Sequence, residues 1–87
     1  MTKRNLICDR SEDTFVVECP TPEDAKKLSL TIGSDWNEDF SEEYRNNGDL
    51  LGCFPCQNTV CLWFYVNGDD EHDTRFGKIR EFIEARV

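Results

Sequence analysis

The sequence lacks several features that would assign a function directly. Its apolar runs fall well short of the roughly 18 residues that a membrane-spanning helix needs. It has no glycine-rich phosphate-binding loop and no serine-centred nucleophile turn, and His72 is its sole histidine. The first residues include two bases but no apolar core of a signal peptide. We therefore expect a cytoplasmic protein without membrane contact, cofactor or catalytic activity.

Basic residues are scarce relative to acidic ones. The 87-residue chain has 10 Lys and Arg against 18 Asp and Glu, which gives a formal charge of −8. Nucleic-acid affinity depends largely on cations that displace counterions from phosphates, so this balance argues against direct binding of DNA or RNA. It favours a protein partner with a basic surface, through long-range attraction and faster encounter.

The sequence has five cysteines, an odd number, and no secretion signal. Reduced thiols are therefore expected rather than a disulfide framework. The run Cys53-Phe54-Pro55-Cys56 has the spacing of one half of a zinc site. Cys61 is a candidate third ligand, and His72, Cys8 or Cys19 could supply the fourth. The second half of such a site should be another close pair, and none exists. A small structural zinc protein is therefore a hypothesis that ranks below the two binding hypotheses described below.

The order of apolar and turn-forming segments predicts an α+β fold in one domain of residues 1–87. The runs Asn5–Cys8 and Thr14–Cys19 flank a polar turn, which is typical of a hairpin. The run Thr21-Pro22-Glu23-Asp24 combines a cap, a proline and two acids, as helix starts do. Its helix is expected to end at Gly33.

A second hairpin and a final helix follow in the prediction. The strands are 50–54 and 59–66, joined through 55–58, and Asp73 or Thr74 is expected to cap the last helix. The predicted architecture is an antiparallel sheet of about four strands in the order ββα(α)ββα, with helices packed mainly on one face.

The segment Ser34–Asp49 is predicted to contain a second, acidic helix that ends near Asn46. Trp36, Phe40 and Tyr44 recur every four residues and would share one face. Like charges four residues apart destabilise an isolated helix by ~0.2–0.5 kcal/mol per pair. The stability of the helix therefore does not explain why carboxylates occupy its other face. The carboxylates on that face are Asp35, Glu38, Asp39, Glu42 and Glu43.

The acidic face, together with Asp69, Asp70 and Glu71, is a candidate partner-binding surface. Carboxylates one helical turn apart lie on the order of 6 Å from each other, comparable with the phosphate spacing of DNA. The function that this favours is inhibition: a DNA mimic that occupies the basic groove of a nucleic-acid-binding protein. Small acidic proteins of phages and mobile elements act in this anti-defence role. The other interpretation is a solvated helix face that only confers solubility.

The segment Val60–Val66 provides an alternative surface. Its residues alternate between two apolar sets, so it should be a central strand. Unless Trp63 and Tyr65 pack within the domain, a dimer partner, a target protein or the acidic helix must cover them. A protein-interaction module or homodimer that uses this apolar sheet face is therefore the alternative hypothesis.

Overall fold

The computed structural model describes residues 3–38 and 42–87. These residues form a four-stranded antiparallel sheet and three helices in the order ββααββα, so the predicted α+β fold is confirmed. No helix in the described part of the chain has the length and apolar character needed to span a membrane. The elements are β1 (Asn5–Asp9), β2 (Thr14–Glu18), α1 (Pro22–Asn37), α2 (Glu42–Arg45), β3 (Gly48–Cys56), β4 (Thr59–Val66) and α3 (His72–Glu84).

Two hairpins form the sheet, and their inner strands join them. β1 pairs with β2, β3 pairs with β4, and β2 pairs with β4, which gives the order β1-β2-β4-β3. β4 is therefore a central strand, as predicted. The two hairpin turns contain Asp13 at φ 53° and Gln57 at φ 55°, the left-handed backbone that tight turns between strands require.

The core lies between one face of the sheet and the helices α1 and α3. Phe15 of β2 is at its centre: its ring stacks on Phe76 of α3 at 4.7 Å between centroids and meets Phe64 of β4 edge-on at 5.4 Å. Burial of each such side chain contributes about 1.5–3 kcal/mol. The largest side chains that are fully buried are Phe15, Val17, Leu28, Ile32, Val60, Leu62, Ile79, Phe82 and Ile83.

Helix α1 continues through Gly33, where the sequence predicted its end. It runs to Asn37, because its next turn places Trp36 in the core. The Trp36 ring is 4% exposed and lies edge-on to Phe64 at 5.1 Å and to Phe82 at 4.9 Å. Burying this ring stabilises the fold by more than the ~1 kcal/mol that a glycine inside a helix costs.

The predicted acidic helix does not form as one element. Its first residues belong to α1, its last residues form the single turn α2, and Asp39 and Phe40 lie outside the described residues. Trp36 and Tyr44 therefore lie on different helices, although both contact the ring of Phe82, at 4.9 Å and 5.2 Å. These two aromatics pack into the core as predicted, but the carboxylates do not form a continuous helical face.

The two long helices begin differently. Thr21 caps α1 through its hydroxyl oxygen, as predicted. α3 begins at His72, and its N-cap residue Glu71 makes no side-chain capping hydrogen bond. The prediction that Asp73 or Thr74 caps this helix is wrong, because both residues already lie inside its first turn.

Gly48 marks a close approach between the sheet and α3. A Cβ at this position would overlap the main-chain carbonyl of Tyr65 and would lie 2.9 Å from Cδ1 of Ile79. Gly77, inside α3, is the opposite case, since a Cβ there meets no atom within 4 Å. Only the first of these glycines is therefore required by packing.

Candidate interaction surface

The described helices leave the second face of the sheet uncovered. Strand residues alternate between faces, and the β4 residues that face the core are buried, so Cys61, Trp63 and Tyr65 face the other way. Trp63 is 44% exposed and Tyr65 is 57% exposed, so packing within the described residues covers them only in part. The described parts of the acidic segment do not cover them, because α1 packs on the opposite face and α2 contacts α3.

The strand register extends this apolar surface across the sheet. Cys61 pairs with Val16 of β2 and with Phe54 of β3, and Val16 pairs with Ile7 of β1. Residues directly opposite each other share a face. The Phe54 ring also lies 5.3 Å from that of Trp63. This surface, hereafter the open face, consists of Ile7, Val16, Phe54, Cys61, Trp63 and Tyr65.

Carboxylates surround the aromatic part of the open face. Asp49 pairs directly with Tyr65, and Asp9 pairs with Thr14, which itself pairs with Trp63. Glu18 lies on the same side at the other end of β2. All three acids are exposed, and none of the four strands contains a Lys or Arg. The strands of the open face therefore combine an apolar centre with carboxylates alone, and the base near Asp49 is Arg45 of α2, which lines the same surface depression.

The fold brings the two acidic segments of the sequence together at one end of the sheet. The Asn67 amide donates to the carbonyl of Asn47 at 2.9 Å, and the Arg75 guanidinium donates to the carbonyl of Asn46 at 3.1 Å. These bonds hold the β4–α3 loop against the turn after α2. The exposed carboxylates of this region, hereafter the acidic end, are Glu42, Glu43, Asp69, Asp70 and Glu71.

The acidic end is continuous with the open face. Asp49 follows the turn after α2 and pairs with Tyr65, and the β4–α3 loop begins directly after β4. One charge of the acidic end is partly neutralised, since Glu71 accepts a hydrogen bond from Arg75 at 2.8 Å. The two predicted surfaces are thus neighbours.

Asp35, one of the predicted partner-binding acids, has a structural role. Its carboxylate accepts a hydrogen bond from Nε of Arg86 at 2.7 Å, and the Arg86 guanidinium lies over the Phe82 ring at 3.8 Å. The prediction that Asp35 projects outward is wrong, because the continuation of α1 turns this residue towards the end of α3. Glu38 is exposed at the C-cap of α1, where its amide donates to the carbonyl of Asp35 at 3.2 Å.

A second guanidinium fastens the segment before β1. Arg4 donates to both carboxylate oxygens of Asp24, at 2.8 Å and 2.9 Å, and to the main-chain carbonyl of Arg86 at 2.8 Å. The hydrogen bond from Arg4, with a smaller contribution from its charge, holds the pKa of Asp24 below its ordinary value. Nothing in the local pattern of the sequence indicated this contact.

The candidate zinc ligands do not converge. Cys53 pairs with Leu62 on the core side, whereas Cys56 pairs with Thr59 on the side of the open face, because an odd spacing along a strand places two residues on opposite faces. Burial raises the pKa of the Cys53 thiol to about 11. Within residues 3–38 and 42–87, no three His, Cys, Asp or Glu side chains are grouped so that they could hold a metal ion.

His72 joins the β1–β2 turn to the start of α3. Its Nε2 lies 2.6 Å from Oδ1 of Asp13, a hydrogen-bonding distance. The Asp13 carbonyl in turn accepts from the amide of Phe64 at 3.0 Å. Both side chains are about one-third or less exposed. The contacts of His72 are those of a structural residue, and sequence spacing alone could not have paired it with Asp13.

Comparison with known proteins gives no relative: no protein-family model, no curated protein and no solved structure matches this chain. The chemistry of the open face and of the acidic end therefore carries the functional argument.

Proposed function

We propose that this protein is a non-enzymatic binding protein that docks a protein partner on its open face. The supporting observation is the exposure of three aromatic side chains on a sheet face that no described helix covers. Phe54, Trp63 and Tyr65 are 41%, 44% and 57% exposed. At about 200 Å² per aromatic side chain, these exposures amount to roughly 300 Å². This area is at the lower end of the range for the largest apolar patch on a typical monomeric protein, a patch that is often functional.

Trp63 is the expected anchor of the interface. Its ring lies above Gly52 of β3, where an added Cβ would be 3.3 Å from Cε3, and beside the ring of Phe54 at 5.3 Å. These two contacts restrict the ring before a partner arrives. A preordered aromatic loses little conformational freedom on binding, and Trp and Tyr are enriched among the residues that dominate binding energy.

The surroundings of the open face favour binding over catalysis. Active sites are usually concave pockets with a few convergent polar groups of perturbed pKa. The open face is the surface of a sheet, and its polar neighbours Asp9, Glu18 and Asp49 are exposed at its margin. A protein surface with apolar side chains is the ligand that fits this geometry.

Inhibition of a nucleic-acid-binding protein is the narrower form of the proposal. It would make the chain a cytoplasmic DNA mimic with an anti-defence role in a phage or mobile element. The assembly of the acidic end from two distant segments supports it, because the exposed carboxylates of this end adjoin the open face. Lysine replacement of Glu42, Glu43, Asp69 and Asp70 should then relieve inhibition of a captured nuclease or polymerase. Full inhibition by this variant would exclude the DNA-mimic form.

The proposed docking surface can be tested by crosslinking in the cells from which the protein comes. A photoreactive phenylalanine analogue is placed at Tyr65 on the open face or, as a matched control, at Leu30, which is 74% exposed on α1. We expect a protein adduct from position 65 that disappears when Trp63→Ser is added. Leu30→Ser should leave the adduct unchanged. Equal adducts from both positions, or an adduct insensitive to Trp63→Ser, would refute the proposal.

A further inference from the structure

The polar positions of the open face show which chemistry its partner must have. We infer that the open face binds a basic amphipathic segment of another protein, with apolar side chains against Phe54 and Trp63 and flanking Lys or Arg beside Asp9, Glu18 and Asp49. This inference rests on the proposed function and specifies the class of partner for the same surface.

The charge distribution carries the inference. The outward positions of the sheet include three carboxylates on three different strands, and the described strands contain no Lys or Arg. Arg45 of α2 lines the same depression as Asp49, so it can offset one of the three charges in part. Asp49 lies directly opposite Tyr65, and cross-strand neighbours have Cβ atoms only about 4.5–5.5 Å apart. A side chain that covers Tyr65 therefore approaches the Asp49 carboxylate as well. An apolar partner without cations would desolvate this acid and leave it unpaired, which is unfavourable.

Two of the three carboxylates are already held in position. The amide and hydroxyl of Ser11 donate to Oδ1 of Asp9 at 3.1 Å and 2.7 Å. The side-chain amide of Asn5 donates to Glu18 at 3.1 Å. Hydrogen bonds from these neutral groups orient the acids without cancelling their charge. The carboxylates of Asp9 and Glu18 are thus preorganised to pair with cations.

Two other occupants fit the charges less well. A second copy of the chain, docked face to face, would add a second set of the same three carboxylates and no base from its strands, and opposed like charges destabilise an interface. Single-stranded RNA could stack on the exposed rings. Its phosphates, however, require cations, and the described strands supply none. A basic protein segment satisfies the aromatic centre and the acidic margin together.

The acidic end predicts how that segment is oriented. It continues the negative surface beyond Asp49 and Tyr65 on one side of the open face only. The more basic end of a bound segment should therefore lie towards Asp69 and Asp70, and its apolar residues over Trp63 and Phe54. The attraction should also weaken as salt rises, since these charges are exposed.

The test is a selection of 16-residue peptides from a random display library on the full chain at low salt. We expect enriched peptides that combine aromatic or aliphatic residues with a net positive charge and that lose affinity at least tenfold for Trp63→Ser. Joint replacement by Asp9→Asn, Glu18→Gln and Asp49→Asn should weaken them about tenfold. A control variant with the same change in charge on the helices, Glu23→Gln, Glu81→Gln and Glu84→Gln, should bind nearly as the wild type does.

The outcomes separate this inference from the proposed function. Neutral or acidic peptides that still require Trp63 would overturn the inference and leave the docking surface in place. A selection without any Trp63-dependent peptide would overturn both. A dimer in light scattering that Trp63→Ser dissociates would identify a second copy as the occupant and overturn the inference. Binding of a 12-nucleotide oligouridine that Trp63→Ser abolishes would do the same in favour of RNA.

Discussion

Replacement of Asp35 by alanine should release the end of α3 from α1. The two bonded atoms, Oδ2 of Asp35 and Nε of Arg86, are 2.7 Å apart, and the side chains are 27% and 16% exposed. Hydrogen bonds between charged groups contribute about 1.5–3 kcal/mol, and partial exposure places this one near the lower limit, at about 1.5–2 kcal/mol. For a domain of this size each kcal/mol lowers the melting temperature by about 4–8 °C. We therefore expect Asp35→Ala to lower it by about 6–16 °C.

Urea denaturation followed by circular dichroism measures the free energy of unfolding. Arg86 also contacts the Phe82 ring and carbonyl, so Arg86→Ala should destabilise more than Asp35→Ala. A double-mutant cycle isolates the pair, and we expect a coupling energy above about 1 kcal/mol. Glu43→Ala, an exposed acid on α2, is the control and should change stability by less than about 0.5 kcal/mol. A coupling below about 0.3 kcal/mol would refute the structural role of Asp35.

Three further changes test other parts of the structure. Gly77→Ala should raise the free energy of unfolding by about 0.5–1 kcal/mol. Gly48→Ala should lower it by about 1–3 kcal/mol or more, because the added Cβ overlaps the main chain. Thermal melts that rank the two variants in the opposite order would contradict the packing. Asp24→Asn should lose stability relative to the wild type above about pH 4, the ordinary carboxyl pKa. That difference should shrink as pH falls through the lowered folded pKa, and a constant difference in urea titrations from pH 2 to 7 would contradict the pairing. At pH 8, iodoacetamide should modify exposed Cys56 before Cys53, whose thiol pKa is about 11; mass spectrometry showing equal rates would contradict the burial of Cys53.

Local patterns in the sequence were sufficient to locate the strands but not to place the end of α1. The predicted strand 59–66 matches β4, because alternating apolar residues on both faces are typical of a central strand. Glycine usually ends a helix, and Gly33 is followed by the helix-capping types Ser34 and Asp35, so an end at Gly33 was the reasonable prediction. The continuation of α1 depends on the contacts of Trp36 with rings that are distant in the sequence. Local helix propensities do not include such contacts.

The candidate surface was predictable only in part, for the same reason. Because the segment Val60–Val66 is apolar on both faces, the sequence predicted that another element or a partner must cover Trp63 and Tyr65. Ile7 and Phe54 join them only through the register of β1 and β3, which a single sequence does not specify. The pairing of Asp35 with a residue 51 positions away likewise required the fold, and without it this acid was assigned to the wrong surface.

The strand order β1-β2-β4-β3 also constrains how the chain folds. Each hairpin closes a short turn and can form within microseconds, but the pairing of β2 with β4 brings Val17 to Val60 across the whole of α1 and its following segment. That encounter closes the longest loop in the sheet and should limit the folding rate. Until it occurs, the inner edges of both hairpins are unpaired and can associate with other chains. The central strand pair, more than either hairpin, therefore determines how long a newly made chain is prone to aggregate.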